Sequence, residues 1–164
     1  MASVYFLQLD GIEGQSSDAK HEKWLELLGF SHGSQQNINI QASADVQGRG
    51  QYIPFTFTHA VDKATPKLQL SCMKGEVIKT AKFEYCRVLG GEQTPVYELT
   101  MNSIRVARAE VKTIKPDPND AASQQPIEEV ELVASEITVK VTPIKPDGTK
   151  DGAIETKWNQ VTNS

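Results

Sequence analysis

Cysteine is scarce in this chain, with only Cys72 and Cys86 in 164 residues. They lack the short CxxC spacing of zinc and redox sites, and two are too few to staple a small secreted fold. Two reduced, buried thiols are the expectation. Histidine is nearly as rare, and His21, His32 and His59 fall in three separate segments. No pair has the three-to-five spacing of zinc ligands and no HExxH occurs, so no metal ion is expected. A GxSxG elbow is also missing, which removes one signature of nucleophilic catalysis. The glycines never form GxGxxG or GxxxxGK[ST], so no phosphate cradle is indicated. Glu128, Glu129 and Glu131 read as exposed positions at a strand start rather than as the facing acids of a glycosidase. No catalytic residue, cofactor or enzyme activity is expected.

Excess positive charge is absent too. Seventeen Lys and Arg against 21 Asp and Glu give a formal net charge of -4, a field that repels phosphate backbones. No apolar run approaches the roughly 20 residues that cross a bilayer, so neither nucleic acid nor membrane insertion is expected. The apolar opening stops at Asp10-Gly11 with no basic residue before it, which does not make a signal peptide. A cytoplasmic start is the expectation. A chain of this length with 38% hydrophobic residues fits one domain, residues 1–164, able to bury about two thirds of its unfolded surface.

What the sequence does contain is mostly β signal. Residues 4–9 read as a strand and residues 10–18 as a polar loop. Residues 21–30, with Trp24, Leu25, Leu27 and Leu28, fit a helical stripe as well as a doubly buried strand. A long loop over residues 41–51 leads into the alternation of Ile53, Phe55 and Phe57. One helix is predicted, with Thr65 as N-cap, Pro66 first inside, Lys74 in the last turn, Gly75 just beyond, and Leu68 and Cys72 facing the core.

Three long β segments follow: Ala81, Phe83 and Tyr85, then residues 95–114, then residues 127–144. In the second, Tyr97, Leu99 and Met101 share one parity while Ile104 and Val106 take the other. In the third, Val130 and Leu132 give way to Ile137, Val139 and Val141. A flip of parity in mid-strand is what a bulge or a change of sheet produces. Long strands that bend at their middles suit a barrel better than a flat sheet with open edges. The predicted fold is therefore mainly β, a barrel of two antiparallel sheets with one short α-helix. Residues 115–126, with three prolines, form an exposed loop, and Gly90-Gly91 and Asp147-Gly148 mark turns.

Charge is unevenly distributed. Arg105, Arg108, Lys112 and Lys115 precede a stretch from Asp117 to Glu136 with six acids and no Lys or Arg. Segregated charge of both signs could register neighbouring copies.

Several segments together resemble the haemolysin-coregulated protein family, Hcp, which builds the inner tube of type VI secretion systems. They are Asp10-Gly11-Ile12-Glu13-Gly14 with Ser16, Asp18, His21 and Trp24; Asp62-Lys63-Ala64-Thr65-Pro66-Lys67-Leu68; Gly90-Gly91-Glu92 before Tyr97; Asp147-Gly148; and Trp158-Asn159. Gln15 stands where the family often has Glu. The resemblance spans nearly the whole chain and implies a barrel flanked by a helix, a strand across residues 21–30, and homohexameric rings stacked into a hollow tube. It implies contractile sheath and spike proteins as partners, small effector proteins in the lumen, and expulsion by the machine without a signal peptide. On that geometry Ser31, Gly33 and Ser34 are candidates for the lumen. The exposed loops and the charge pattern make Gln47, Arg49, Arg105, Arg108, Asp117 and Asp120 candidates for ring or stacking contacts. A carbohydrate- or ligand-binding β-sandwich is the alternative, and would need Trp24 or Trp158 exposed in a groove.

Overall fold

The computed structural model describes residues 4–39, 45–46, 48–115 and 117–164. In chain order the strands are β1 (Tyr5–Leu9), β2 (Leu25–Glu26), β3 (Gly29–Gln35), β4 (Ile38–Asn39), β5 (Asp45–Val46) and β6 (Gln51–Ala60). Helix α1 (Thr65–Lys74) follows, then β7 (Ile78–Leu89), β8 (Glu92–Lys112), a 3-10 turn (Ala121–Gln124), β9 (Ile127–Val141) and β10 (Ile154–Asn159). Eight strands form one antiparallel sheet in the order β2-β1-β7-β8-β9-β6-β3, with β10 also on β9, while β4 and β5 make a separate ribbon. β6 and β10 share one edge of β9 end to end: β6 pairs with residues 127–132 and β10 with residues 136–141.

The sheet's two end strands are consecutive in the chain. Leu27 N–H donates to Tyr5 O on β1, and Leu28 N–H donates to Thr58 O on β6. Among the described residues no ladder joins β2 to β3, so the ends of the sheet are linked through this connecting segment rather than by strand pairing. The strand implied across residues 21–30 is corrected accordingly. Residues 19–23 turn, β2 has two residues, and β3 begins at Gly29. Leu25 and Leu27 are buried on one side while Leu28 is 62% exposed, which fits neither a helical stripe nor a doubly buried strand.

The parity flips have identifiable causes. At mid-β8, Ser103 sits at φ 52, a left-handed value rare outside glycine, and the buried set changes from Leu99 and Met101 to Ile104 and Val106. Ser135 Oγ on β9 donates to Ser103 O at the same level, where β9 also changes face. Two further irregularities lie on β8. One extra residue falls between its pairings to Tyr85 and Cys86, and another between its pairings to Leu132 and Glu131. Each adds bend and twist, which lets a 21-residue strand wrap a core.

That core gathers Leu7, Leu25, Phe57, Phe83, Leu99, Met101, Ile104 and Val130, all with no measurable exposure, and Leu68 of α1 covers it from the side. Cys72 is partly buried against it as anticipated, and both cysteines are free. Helix entry differs from expectation. Ala64, not Thr65, is the N-cap and has helical angles. The capping role passes to Asp62, whose Oδ1 accepts from Ala64 N–H at 2.8 Å, while Thr65 Oγ1 accepts from Asp62 N–H. The exit is as read: Gly75 takes φ 65, its N–H bonds to Cys72 O, and Glu76 N–H bonds to Ser71 O.

Candidate assembly surface

The second half of β9 outruns the core. Ile137 is 5% exposed, but Val141 on the same face is 39% exposed. β10 continues the apolar strip sideways, since Ile154 pairs with Val141 and Trp158 with Ile137, and these two residues are 67% and 38% exposed. Every residue of β10 from Ile154 to Trp158 is exposed, and among the described residues its outer edge pairs with no strand. An apolar ladder on an open edge is a template for another chain. Tyr52 fixes the strip's position by donating from Oη to Trp158 O at 2.6 Å.

Between this strip and β3 lies a groove of about 530 Å³ lined by His32, Gly33, Ser34, Tyr52, Val139 and Trp158 among others. His32 is tucked inward against Phe30 and Phe55, with Nε2 in contact with Tyr97 Oη, and burial pushes its pKa down. Ser31 and Ser34 are exposed and Gly33 half-buried. Across from them β6 carries one extra residue between its pairings to Ser31 and Gly33, close to Pro54, which has no N–H to donate. Among the described residues, Ser31, Gly33 and Ser34 thus lie on an edge strand paired only to β6.

The charge pattern folds back on itself. Because β8 runs antiparallel to β9, the basic end of one meets the acidic start of the other. Arg108 contacts Glu129, lies 2.6 Å from Glu110 and 3.9 Å from Glu131, and Lys112 reaches Glu129 at 3.1 Å. Arg108 beside it, and then Lys112, hold the Glu129 carboxyl below its ordinary range. Arg105 projects to solvent, and among the described residues it makes no ion pair. Arg49 donates to Gln160 O at 2.9 Å, tying the start of β6 to the chain end. Gln47 lies outside the described residues. Asp117 and Asp120 are spent locally: Asp117 Oδ1 accepts from Asn119 N–H, and Asp120 Oδ1 caps the 3-10 turn through Ala122 N–H.

Two buried histidine clusters escaped the sequence reading. Glu128, expected on the surface, is fully buried and pairs across the ladder with His59, whose Nε2 lies 2.7 Å from Glu128 Oε1. Asp62 Oδ2 stands 3.6 Å from Nδ1, an ion-pair distance. Burial alone would lower the His59 pKa, but the Asp62 and Glu128 carboxylates outweigh it and raise it to about 9. In the second cluster His21 lies 2.6 Å from both Asp18 and Glu84, stacks on Phe6 at 4.0 Å, and approaches Cys86 Sγ at 3.8 Å. Burial, then the charges of Glu84, Asp18 and Glu98, push the Cys86 thiol up to about 12. Spacing could not have found either cluster, since the partners are 63 and 69 residues apart.

Residues 6–141 match the family model described as "Type VI secretion system effector, Hcp". The chain belongs to the Hcp family. It is 25% identical over 161 residues to protein hcp1 of Pseudomonas aeruginosa, covering 97% of this chain and 96% of that one. Hcp1 from Salmonella typhimurium superposes with a TM-score of 0.78 at 24% identity, covering 99% of this chain and 98% of the other. A structure of a type six secretion system protein superposes with a TM-score of 0.87 at 23% identity, with 99% of each chain covered. The chain is thus a type VI secretion tube protein by family. Its Hcp-like motif residues have physical jobs. Gly14 admits the Trp24 carbonyl, which a Cβ would meet at 2.4 Å. Gly90 and Gly91, at φ 57 and 83, make the two-residue turn between β7 and β8. Gln15 Oε1 accepts from Lys63 N–H at 2.8 Å, joining the first loop to the helix entry. Trp24 stands edge-on to His21 as an anchor.

Proposed function

We propose that the chain forms homohexameric rings that stack head to tail as the inner tube, leave the cytoplasm when a contractile sheath fires, and carry small effectors in the lumen. The observation that supports this most is the apolar strip of Val141, Ile154 and Trp158 on the open edge of β10. A subunit that closes a ring needs one patch to meet a different patch on its neighbour, and an uncovered ladder edge supplies the first. Family membership supports self-assembly into a tube. Ser31, Gly33 and Ser34 suit a lumen wall because small polar groups on an edge strand present a smooth, wettable surface without anchoring cargo. Arg105, exposed and without an ion pair among the described residues, is the first candidate for contacts between stacked rings, or with the sheath or spike; Asp117 and Asp120 are exposed as well, each with one carboxylate oxygen engaged in its own loop. Arg108, already paired within its own chain, has less to offer a neighbour.

Light scattering tests the ring. Wild type is expected at the mass of six subunits, and Ile154→Glu, which places charge in the strip, at the mass of one. A monodisperse monomer for wild type at high concentration overturns the proposal. Trp158 lining a groove is the one feature that favours a carbohydrate-binding module instead. Titration of oligosaccharides against indole fluorescence separates the two, because a tube subunit gives no saturable change.

A further inference from the structure

We propose that His21, Glu84 and Cys86 form a site for one divalent transition-metal ion of the zinc class, with Asp18 as the carboxylate that orients the imidazole. Glu84 and Cys86 are two apart on β7 and so share a face, while Phe83 and Tyr85 alternate with them and pack on the core side. The first loop folds over that face and brings His21 down onto it, under the ring of Phe6 and the edge of Trp24. All three donors are buried, at 1% exposure for His21 and Cys86 and 6% for Glu84.

The donor set of imidazole nitrogen, thiolate sulfur and carboxylate oxygen is one that zinc takes. Its geometry is close to ready. Nε2, Oε2 and Sγ are separated by 2.6, 3.8 and 3.9 Å, and the circle through three such points has a radius of about 2.0 Å, near an ordinary zinc–ligand bond length. A tetrahedral ion would widen the His21–Glu84 separation by about 0.7 Å. The outer shell is in place. Asp18 Oδ2 accepts from Nδ1 at 2.6 Å, the carboxylate–histidine–metal arrangement, and is itself held by Lys20 N–H. Lys82 Nζ occupies the other Glu84 oxygen at 3.1 Å, leaving Oε2 facing the site.

Charge is conserved on binding. One proton lies in the His21–Glu84 hydrogen bond and one on the Cys86 sulfur. An M²⁺ ion that bonds to Nε2, Oε2 and Sγ releases both to solvent, so the net charge of the cluster does not change. Fourfold coordination is completed by water, reached past Asp18, which is 27% exposed.

The test is titration of chelator-treated protein with cobalt(II), followed by displacement with zinc. Wild type and Cys72→Ser are expected to bind one ion per subunit, with a thiolate-to-cobalt charge-transfer band and the visible bands of a four-coordinate ion. Cys86→Ser loses the charge-transfer band. Asp18→Asn keeps it but binds about 10- to 100-fold more weakly. A wild-type titration with no such band, or a band that survives Cys86→Ser, overturns the site. Proton release from wild type is an independent readout that needs no variant to fold: two protons per ion are expected, and none overturns the assignment.

Discussion

Raising the pH from 6.5 to 9 is expected to cost this protein about 3 kcal/mol of folding free energy, through His59 alone. His59 and Glu128 face each other across the β6–β9 ladder, 1% and 0% exposed, with Asp62 on the far side of the ring. The His59 pKa is raised from 6.5 to about 9 in the folded state. The folded state therefore holds a proton that the unfolded chain gives up. The stabilisation is fully present below pH 6.5 and disappears as pH rises through about 9. His59→Gln together with Glu128→Gln removes both charges of the buried pair, so that this reference protein takes up no proton there on folding. Because wild type loses its advantage on the alkaline side, the gap between the two should narrow by about 1.4 kcal/mol per pH unit across the window. Urea unfolding at fixed protein concentration, at several pH values from 6 to 9, measures that gap. Taking the difference between the two proteins cancels the other titrating groups, including Cys86, whose raised pKa also disfavours the folded state in alkali. A gap that stays constant with pH refutes the buried imidazolium.

Gly14→Ala places a Cβ 2.4 Å from Trp24 O and 2.7 Å from Leu25 Cα, both backbone atoms that cannot yield cheaply. It is expected to lower the thermal midpoint sharply or prevent soluble expression, and a midpoint within a degree of wild type would contradict the close approach. At Ser103, held at φ 52, a β-branched residue is strained while glycine is relieved. Ser103→Val should destabilise by roughly 1–3 kcal/mol and Ser103→Gly should not, as read by denaturant midpoints.

Much of the architecture was legible because it is written in period-two pattern. The two mid-strand flips in residues 95–114 and 127–144 are visible as changes of parity at Met101 to Ile104 and at Leu132 to Ile137. Both are changes of buried face in the structure, the one in β8 built on Ser103. The helix was legible from Pro66 and Gly75, though not its N-cap. Asp62 competes for that role through a side-chain bond that spacing alone does not distinguish from a Thr cap. Residues 21–30 were not legible, because Leu25 and Leu27 are buried by β1 and the core while Leu28 faces solvent, a pattern set by neighbours and not by any period.

What the sequence by itself determined was the material: a single β-rich chain with one helix, family-like turns, and segregated charge. Tertiary structure decided what those parts meet. Antiparallel pairing of β8 with β9 brought Arg108 and Lys112 onto Glu129, so that part of a pattern that looked intermolecular is satisfied within the chain. Pairing of β9 with β6 on its other edge set Glu128 against His59, and the fold of the first loop onto β7 set His21 beside Cys86. Local propensities act over a few residues, whereas these contacts span 21 to 69 positions, and only the register of the sheet fixes which side chains share a face.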